Sequence, residues 1–181
     1  WDTRRHLIAV NTSSRKRAEE ALDLLRETLG SLKVTPLATQ TLPMRAMTEW
    51  LAEEGSRPAT LQLGDQVELK AKGDDGVLRA RQVDLDSDEI QQLLSAGRQA
   101  SRLGLEIEGR LAYVLHDDLT LKSLRFSDAL IDEAGEIEDD GDAVVRLEAD
   151  FMLMTQALAE EIEQLVAWLG GEANAAPQAS E

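Results

Sequence analysis

Apolar residues recur along the chain with two periods, and the helical period is clearest in residues 13–30. Ser13 or Ser14 is placed to cap the first turn of a helix there, and Gly30 is placed to end it. One side of this helix is apolar because five residues follow the spacing i, i+3, i+4, i+7 and i+11. These residues are Ala18, Ala21, Leu22, Leu25 and Leu29.

The same period predicts three further helices. One covers residues 44–54, and another begins at Asp86, where Glu89 completes a capping-box-like pattern and the buried side extends to Gly97. The last is a long amphipathic helix that ends at Gly170 and Gly171. Its apolar side is marked by Leu147, Phe151, Met154, Leu158, Ile162, Leu165 and Leu169.

Alternating patterns predict the strands. HLIAVNT (6–12) and VTPLAT (34–39) are typical of short strands, and the GDDG turn joins ATLQLGDQVELKAK to VLRARQVDL as a hairpin. LGLEIEG, RLAYVLHDD and LTLKSLRFSD then form a meander. Because strands and helices mix without regular βαβ alternation, the fold class is α+β, with a largely antiparallel or mixed sheet, flanking helices and a long C-terminal helix.

Length and composition limit the possible domain organisation and the possible types of functional site. We expect one α+β domain over residues 1–171, an acidic loop at Asp132–Asp142 and a disordered tail at 172–181. No run approaches the roughly 18 apolar residues of a membrane span. The chain has no cysteine, which excludes disulfides, thiol catalysis and thiolate metal sites. It begins with Trp1 and has the features of a piece of a longer chain.

The net charge of −16 argues against general binding of polyanions, because phosphate affinity comes from Lys and Arg. The charges are unevenly distributed, however. Residues 1–110 hold 16 of the 19 basic residues, whereas residues 111–181 hold 3 basic and 17 acidic residues. A local basic surface is therefore possible in the first part of the chain.

The sequence gives only weak signals for catalytic or metal-binding residues. His6 and His116 are the only histidines, and neither has a second nitrogen or sulfur ligand nearby in the sequence. Asp74–Asp75 and Asp117–Asp118 could hold a nuclease magnesium, but both pairs fall where turns are expected, and turns favour Asp. We therefore predict no catalytic residues, no metal ligands and no cofactor.

Three placements of basic residues are mildly unfavourable. Arg79 and Arg81 emerge on one face of a strand about 7 Å apart, and like charges so placed do not stabilise a sheet. Arg98 and Arg102 are predicted at i and i+4 on the following helix. The remaining cluster opens the first helix, the end where the helix dipole disfavours cations. It consists of Arg15, Lys16 and Arg17. On these residues alone, pairing with the abundant Asp and Glu is the preferred interpretation, and an anionic partner is the alternative that the three placements suggest.

An ordered set of segments resembles the RdgC family of bacterial recombination-associated proteins. The segments run in one order from about residue 7 to residue 172: AEEALDLLRETLGSLKVTPL, MTEWL, DDGVLRARQVDLDSDEI, LTLKSLRFSDAL and EADFMLMTQALAEEIEQLVAWLGGE. The resemblance implies the C-terminal portion of a cytoplasmic, nucleoid-associated protein without enzymatic activity. Such proteins form a homodimeric ring around double-stranded DNA, bind it without sequence preference and restrain RecA filaments.

The resemblance also implies a site. The family associates a Lys-Gln pair, in the strand after the turn, with DNA contact, and the matching positions here are Gln82 and Val83. Only Gln82 keeps the polar character, so the predicted contacts centre on Arg79, Arg81 and Gln82.

Two alternatives from other classes stay open. One is an acidic protein–protein interaction or dimerisation module, which would use the acidic C-terminal region and the long helix without direct DNA contact. The other is a metal-dependent nuclease that uses the Asp pairs.

Overall fold

A computed structural model gives the fold of the 181-residue chain, and the structure describes residues 1–71, 73, 76–135 and 142–173. The chain divides into two compact units, Trp1–Pro36 and Leu37–Glu181. Among the described residues, no helix has both the length and the apolar character needed to cross a membrane.

The first unit contains helix α1, Arg15–Leu29, which confirms the first predicted helix. Ser14 caps it by accepting a hydrogen bond from the Arg17 backbone N–H at 3.4 Å, and Gly30 ends it with a left-handed φ of 77°. The strand predicted at residues 6–12 does not form. Asp2 and Leu7 make one isolated bridge, and the structure pairs none of residues 8–12 with another strand. A strand needs such a partner for its backbone N–H and C=O groups.

The second unit carries the sheet and four more α-helices. Its helices are α2 (Pro43–Ala52), a short 3-10 helix (Glu54–Ser56), α3 (Asp88–Ser95), α4 (Asp128–Gly135) and α5 (Ala143–Trp168). Its strands are β1 (Leu61–Lys70), β2 (Val77–Arg81), β3 (Gln99–Ile107), β4 (Leu111–His116) and β5 (Leu121–Phe126). All neighbours are antiparallel, in the order β2-β1-β3-β4-β5. The predicted α+β class, hairpin, meander and long C-terminal helix are confirmed.

The apolar core lies between one face of the sheet and the helices. Leu69, Leu103 and Leu115 point into it from the strands and are fully buried. Trp50 of α2 meets Trp168 of α5 edge to face, with ring centroids 6.3 Å apart. This core leaves the opposite face of the sheet for polar side chains.

Irregular pairing curls the sheet. Between Leu63 and Val67, β1 carries extra residues relative to β3, and the backbones come close at Gly64 and Gly104. A Cβ on Gly64 would lie 3.1 Å from the backbone carbon of Gly104, so a side chain has no room there. Bulges of this kind bend a strand and increase its twist.

Further predicted elements also differ in the structure. The helix after Asp86 ends at Ser95, because Gly97 adopts φ 87° and turns the chain into β3; its N-cap is Ser87. The strand predicted at residues 34–39 is reduced to one bridge between Thr39 and Glu172, consistent with the missing N–H of the proline in that segment. The bridge also holds the first residue of the predicted tail, and residues 174–181 lie outside the described part.

The acidic loop predicted at Asp132–Asp142 begins inside α4, which ends at Gly135. Ser127 starts this helix, because its hydroxyl accepts a hydrogen bond from the Leu130 N–H at 3.2 Å. Residues 136–141 of the predicted loop lie outside the described part. Asp142 caps α5 through the Val144 N–H at 2.9 Å.

Candidate nucleic-acid interface

Antiparallel register aligns four polar side chains in one row across the open face of the sheet. Arg79 of β2 is opposite Glu68 of β1, which is opposite Arg102 of β3. Arg102 is in turn opposite His116 of β4. Since directly opposed residues share a face, the row runs across four strands.

Glu68 is the centre of that row and is only 4% exposed. Its Oε2 accepts a hydrogen bond from Arg79 Nε at 2.6 Å and lies 3.3 Å from Arg102 Nη1. Its Oε1 accepts a hydrogen bond from the Ser101 hydroxyl at 2.8 Å. Burial on its own would raise the pKa of Glu68, but these three partners outweigh it and lower that pKa, so the carboxylate is ionised at neutral pH.

Three further cations lie on the same face, outside the first row. Arg81 is opposite Gln66, Lys122 is opposite Val114, and Arg125 is opposite Ala112 on the same face. None of these three cations forms an ion pair with the described residues, and Arg81 and Arg125 are exposed. We call the resulting surface the cationic face; its members are Arg79, Arg81, Arg102, Lys122 and Arg125.

Acidic residues reduce the charge of this face without cancelling it. Glu68 is buried beneath two arginines, and Glu106 is exposed on the same face of the sheet. Lys70 shares this face with Glu68 and pairs with Asp117 at 3.0 Å. The cations of this face therefore outnumber its described carboxylates, in a chain whose net charge is −16.

His116 does not add to the positive charge at neutral pH. Burial lowers its pKa, and the neighbouring charges of Arg102 and Lys122 lower it further. The carboxylates of Asp118 and Asp117 raise this pKa but do not outweigh those causes, so the imidazole is neutral in the row.

The other predicted site residues belong to other segments of the chain. Arg98 and Arg102 do not share a helix, because Arg102 is in β3 and Arg98 precedes it; Arg98 donates to the Gly76 carbonyl at 3.1 Å and is half-buried. Gln82 is exposed directly after β2, with φ 56°. Arg15 and Lys16 pair along α1 with acidic residues one turn later, at 3.2 and 3.8 Å.

Arg17 also lies in the first turn of α1, in the first unit of the chain. The structure thus groups Arg79, Arg81 and Arg102 of the predicted set on one surface. It adds Lys122 and Arg125, which the sequence analysis did not select.

Comparison with known proteins gives one consistent family. A family model described as "Putative exonuclease, RdgC" matches residues 1–172. Proteins named recombination-associated protein RdgC are 43% identical over 171 residues in Pasteurella multocida and 43% over 173 residues in Mannheimia succiniciproducens. The protein of that name in Yersinia pestis is 44% identical over 173 residues.

The chain belongs to the RdgC family. The family resemblance drawn from its sequence is confirmed. The matches cover 94–96% of this chain and 56–57% of those three relatives, so the chain spans little more than half of their length.

The names used within the RdgC family differ about chemistry, since one mentions an exonuclease and the others mention recombination. In this chain, Asp117 pairs with Lys70 at 3.0 Å, and Asp118 accepts the Thr120 N–H at 3.0 Å within a turn. Asp74 and Asp75 lie outside the described residues. Across the described ranges, no three His, Asp or Glu side chains are grouped as a metal ion would require.

Proposed function

We propose that the cationic face binds the phosphates of double-stranded DNA without reading its sequence. The observation that carries this proposal is the grouping of five cations on the face of the sheet that is opposite the apolar core. Three of them have no carboxylate partner among the described residues. Unpaired cations on one surface raise the local potential, which attracts a polyanion even where the net charge is negative.

The chemistry of the face favours phosphates over base edges. Arg presents a planar fork of donors that matches a phosphate, and Lys offers a point charge. Such contacts fix the position of a protein on DNA and carry no sequence information by themselves. We therefore propose a non-enzymatic, sequence-independent DNA-binding protein.

In the full-length protein, we propose that two subunits pair and enclose the duplex as a ring. A ring with its cationic faces inward keeps acidic surface outside, which reconciles local DNA binding with the charge of −16. Several weak phosphate contacts held together gain effective concentration. Occupied duplex is less accessible to RecA filaments, so this arrangement is consistent with a nucleoid-associated restraint on recombination.

Exposed apolar residues on α5 support the subunit pairing. In its first half, Val144, Leu147, Phe151 and Met152 are between 62% and 68% exposed. The helical spacing predicted Leu147 and Phe151 on the apolar side of this helix, yet the described residues of this chain leave them 68% and 67% exposed. A second copy of the chain would cover them, and apolar burial of this kind is typical of permanent dimers.

The proposal predicts steep salt dependence and little sequence dependence. The full-length protein should bind duplexes of unrelated sequence with dissociation constants within about threefold of each other. The logarithm of affinity should fall against the logarithm of salt with a slope of about −0.9 per phosphate contact, roughly −9 for the ten cations of a dimer. Fluorescence anisotropy over a salt series measures both quantities.

The same preparation should release no nucleotides from DNA when magnesium is added. Nucleotide release that is abolished by Asp117→Asn and Asp118→Asn would contradict the non-enzymatic assignment. A protein that forms dimers but shows no salt-dependent DNA affinity would instead support the interaction module without DNA contact.

The pairing surface gives a separate prediction. Phe151→Asp should weaken self-association of the full-length protein at least about tenfold, because burying a Phe side chain contributes about 1.5–3 kcal/mol. Sedimentation equilibrium measures the dimer dissociation constant. Leu42→Asp is the matched control: Leu42 is 70% exposed and is the N-cap of α2, where Asp is favoured. Equal effects of the two changes would rule out α5 as the pairing surface.

A further inference from the structure

We infer that Glu68, although negatively charged, is a positioning residue for DNA binding, because it holds Arg79 and Arg102 ready for phosphates. This inference rests on the proposed function of the cationic face. From its negative charge alone, Glu68 would be expected to weaken DNA binding.

The two carboxylate oxygens of Glu68 have different partners. Oε1 accepts a hydrogen bond from the Ser101 hydroxyl at 2.8 Å, and Ser101 is completely buried. Oε2 forms ion pairs with both guanidinium groups, that of Arg79 at 2.6 Å and that of Arg102 at 3.3 Å. The register shift between Glu68 and Leu69 leaves Ser101 without an opposed partner in β1, which places it beside the carboxylate. The Ser101 hydroxyl therefore fixes the Glu68 carboxylate on its buried side, and the carboxylate fixes Arg79 and Arg102 on its exposed side.

Most donors of the two arginines remain available. Each guanidinium carries five N–H donors. Arg79 uses Nε toward Glu68, which leaves both of its terminal nitrogens, and Arg102 approaches through Nη1. The Arg79 side chain is 65% exposed and the Arg102 side chain is 42% exposed. Both can thus contact Glu68 and a phosphate at the same time.

Holding the arginines in advance reduces a cost of binding. A rotamer-rich side chain loses conformational entropy when it is fixed on a ligand, and preorganisation removes part of that loss. Glu68 also lies between Arg79 and Arg102 in the row, so it offsets the repulsion that two neighbouring cations would otherwise exert. One negative charge thereby supports two phosphate contacts.

The variant Glu68→Gln distinguishes positioning of the arginines from a simple charge effect, because the two predict opposite changes in DNA affinity. If Glu68 acts on DNA only through its charge, its neutralisation makes the face more positive and tightens binding. If it positions the arginines, binding weakens. We expect the full-length protein with Glu68→Gln to bind duplex DNA about tenfold more weakly, measured by anisotropy at fixed salt.

Glu106→Gln is the matched control for sign. Glu106 is an exposed carboxylate on the same side of the sheet, and the structure gives it no partner among the cations of the cationic face. Its neutralisation removes the same charge without releasing an arginine, so binding should tighten slightly, about twofold. Opposite changes in the two variants support positioning by Glu68.

A double-mutant cycle shows whether Glu68 acts through its arginines. In the background Arg79→Gln and Arg102→Gln, the further change Glu68→Gln should no longer weaken binding. If Glu68→Gln alone does not fold, judged by its thermal unfolding, Ser101→Ala decides: it frees Oε1, keeps every charge and should weaken binding about threefold.

Three results would overturn the inference. The first is tighter DNA binding by Glu68→Gln. The second is that Glu68→Gln weakens binding equally in the background with Arg79→Gln and Arg102→Gln. The third, which applies if Glu68→Gln does not fold, is an unchanged DNA affinity of Ser101→Ala. Wild-type protein without salt-dependent DNA affinity would contradict the proposed function itself, which is a different result from any of these three.

Discussion

Changing Arg81 and Lys122 together to glutamine is expected to weaken DNA binding about a hundredfold for every duplex sequence. Hydrogen bonds to charged groups contribute about 1.5–3 kcal/mol each, so two lost contacts correspond to at least that factor. The salt slope should flatten by roughly 0.9 per lost contact. The measurement is anisotropy of the full-length variant against several unrelated duplexes over a salt series.

The control removes two positive charges that belong neither to the cationic face nor to the proposed pairing surface. Arg45 is on α2, where it pairs with the exposed Glu49, and Lys33 is exposed in the first unit. With Arg45→Gln and Lys33→Gln, affinity and slope should stay near the wild-type values. If both double variants lose affinity equally, net charge and not the cationic face controls binding.

Arg79 is a poorer choice for this experiment, although the sequence points to it first. Its guanidinium is a partner of the buried Glu68, so its removal leaves a carboxylate with fewer partners and lowers stability as well as affinity. Arg81 and Lys122 carry no such role within the described part of the chain. Substituting them tests DNA contact alone.

Local signals in the sequence were sufficient for most of the fold. The apolar spacing of α1 and its Ser and Gly caps, the alternation around the β1–β2 turn and the long period of α5 all depend on neighbours within a few residues. Arg79 and Arg81 were predictable in the same way, since two residues apart on one strand share a face. Helix α3 was predicted too long, because the turn at Gly97 competes with an otherwise continuous pattern.

The rest of the cationic face depends on contacts between strands. Lys122 and Arg125 are three apart, so plain alternation places them on opposite faces. A register shift between β4 and β5, with Ser123 at φ 53°, brings both to the open face. The burial of Glu68 likewise follows from its neighbours in β2 and β3. No pattern within β1 separates it from an ordinary exposed Glu.

A buried polar pair joins α5 to the sheet behind the cationic face. The Tyr113 hydroxyl of β4 donates to Glu161 Oε1 at 2.6 Å, and both residues are at most 3% exposed. Burial raises the pKa of Glu161, although the hydrogen bond from Tyr113 and the charge of Arg110 act in the opposite direction. The ionised form of Glu161 therefore depends on Tyr113.

Tyr113→Phe is accordingly expected to lower the free energy of unfolding by about 1–3 kcal/mol at neutral pH, because it leaves a buried carboxyl without its donor.

The sign of the pH dependence follows from the raised pKa: the folded state binds the Glu161 proton more tightly than the unfolded state. The stability from this group is complete below the unfolded pKa and is lost as pH rises through the folded pKa. Removing the Tyr113 donor raises the folded pKa further, so the deficit of the variant should be larger at about pH 7.5 than at about pH 4.5. Urea unfolding at both pH values measures it, and in a Glu161→Gln background the pH dependence of the deficit should disappear. A deficit of equal size at both pH values would mean that Tyr113 acts by packing alone.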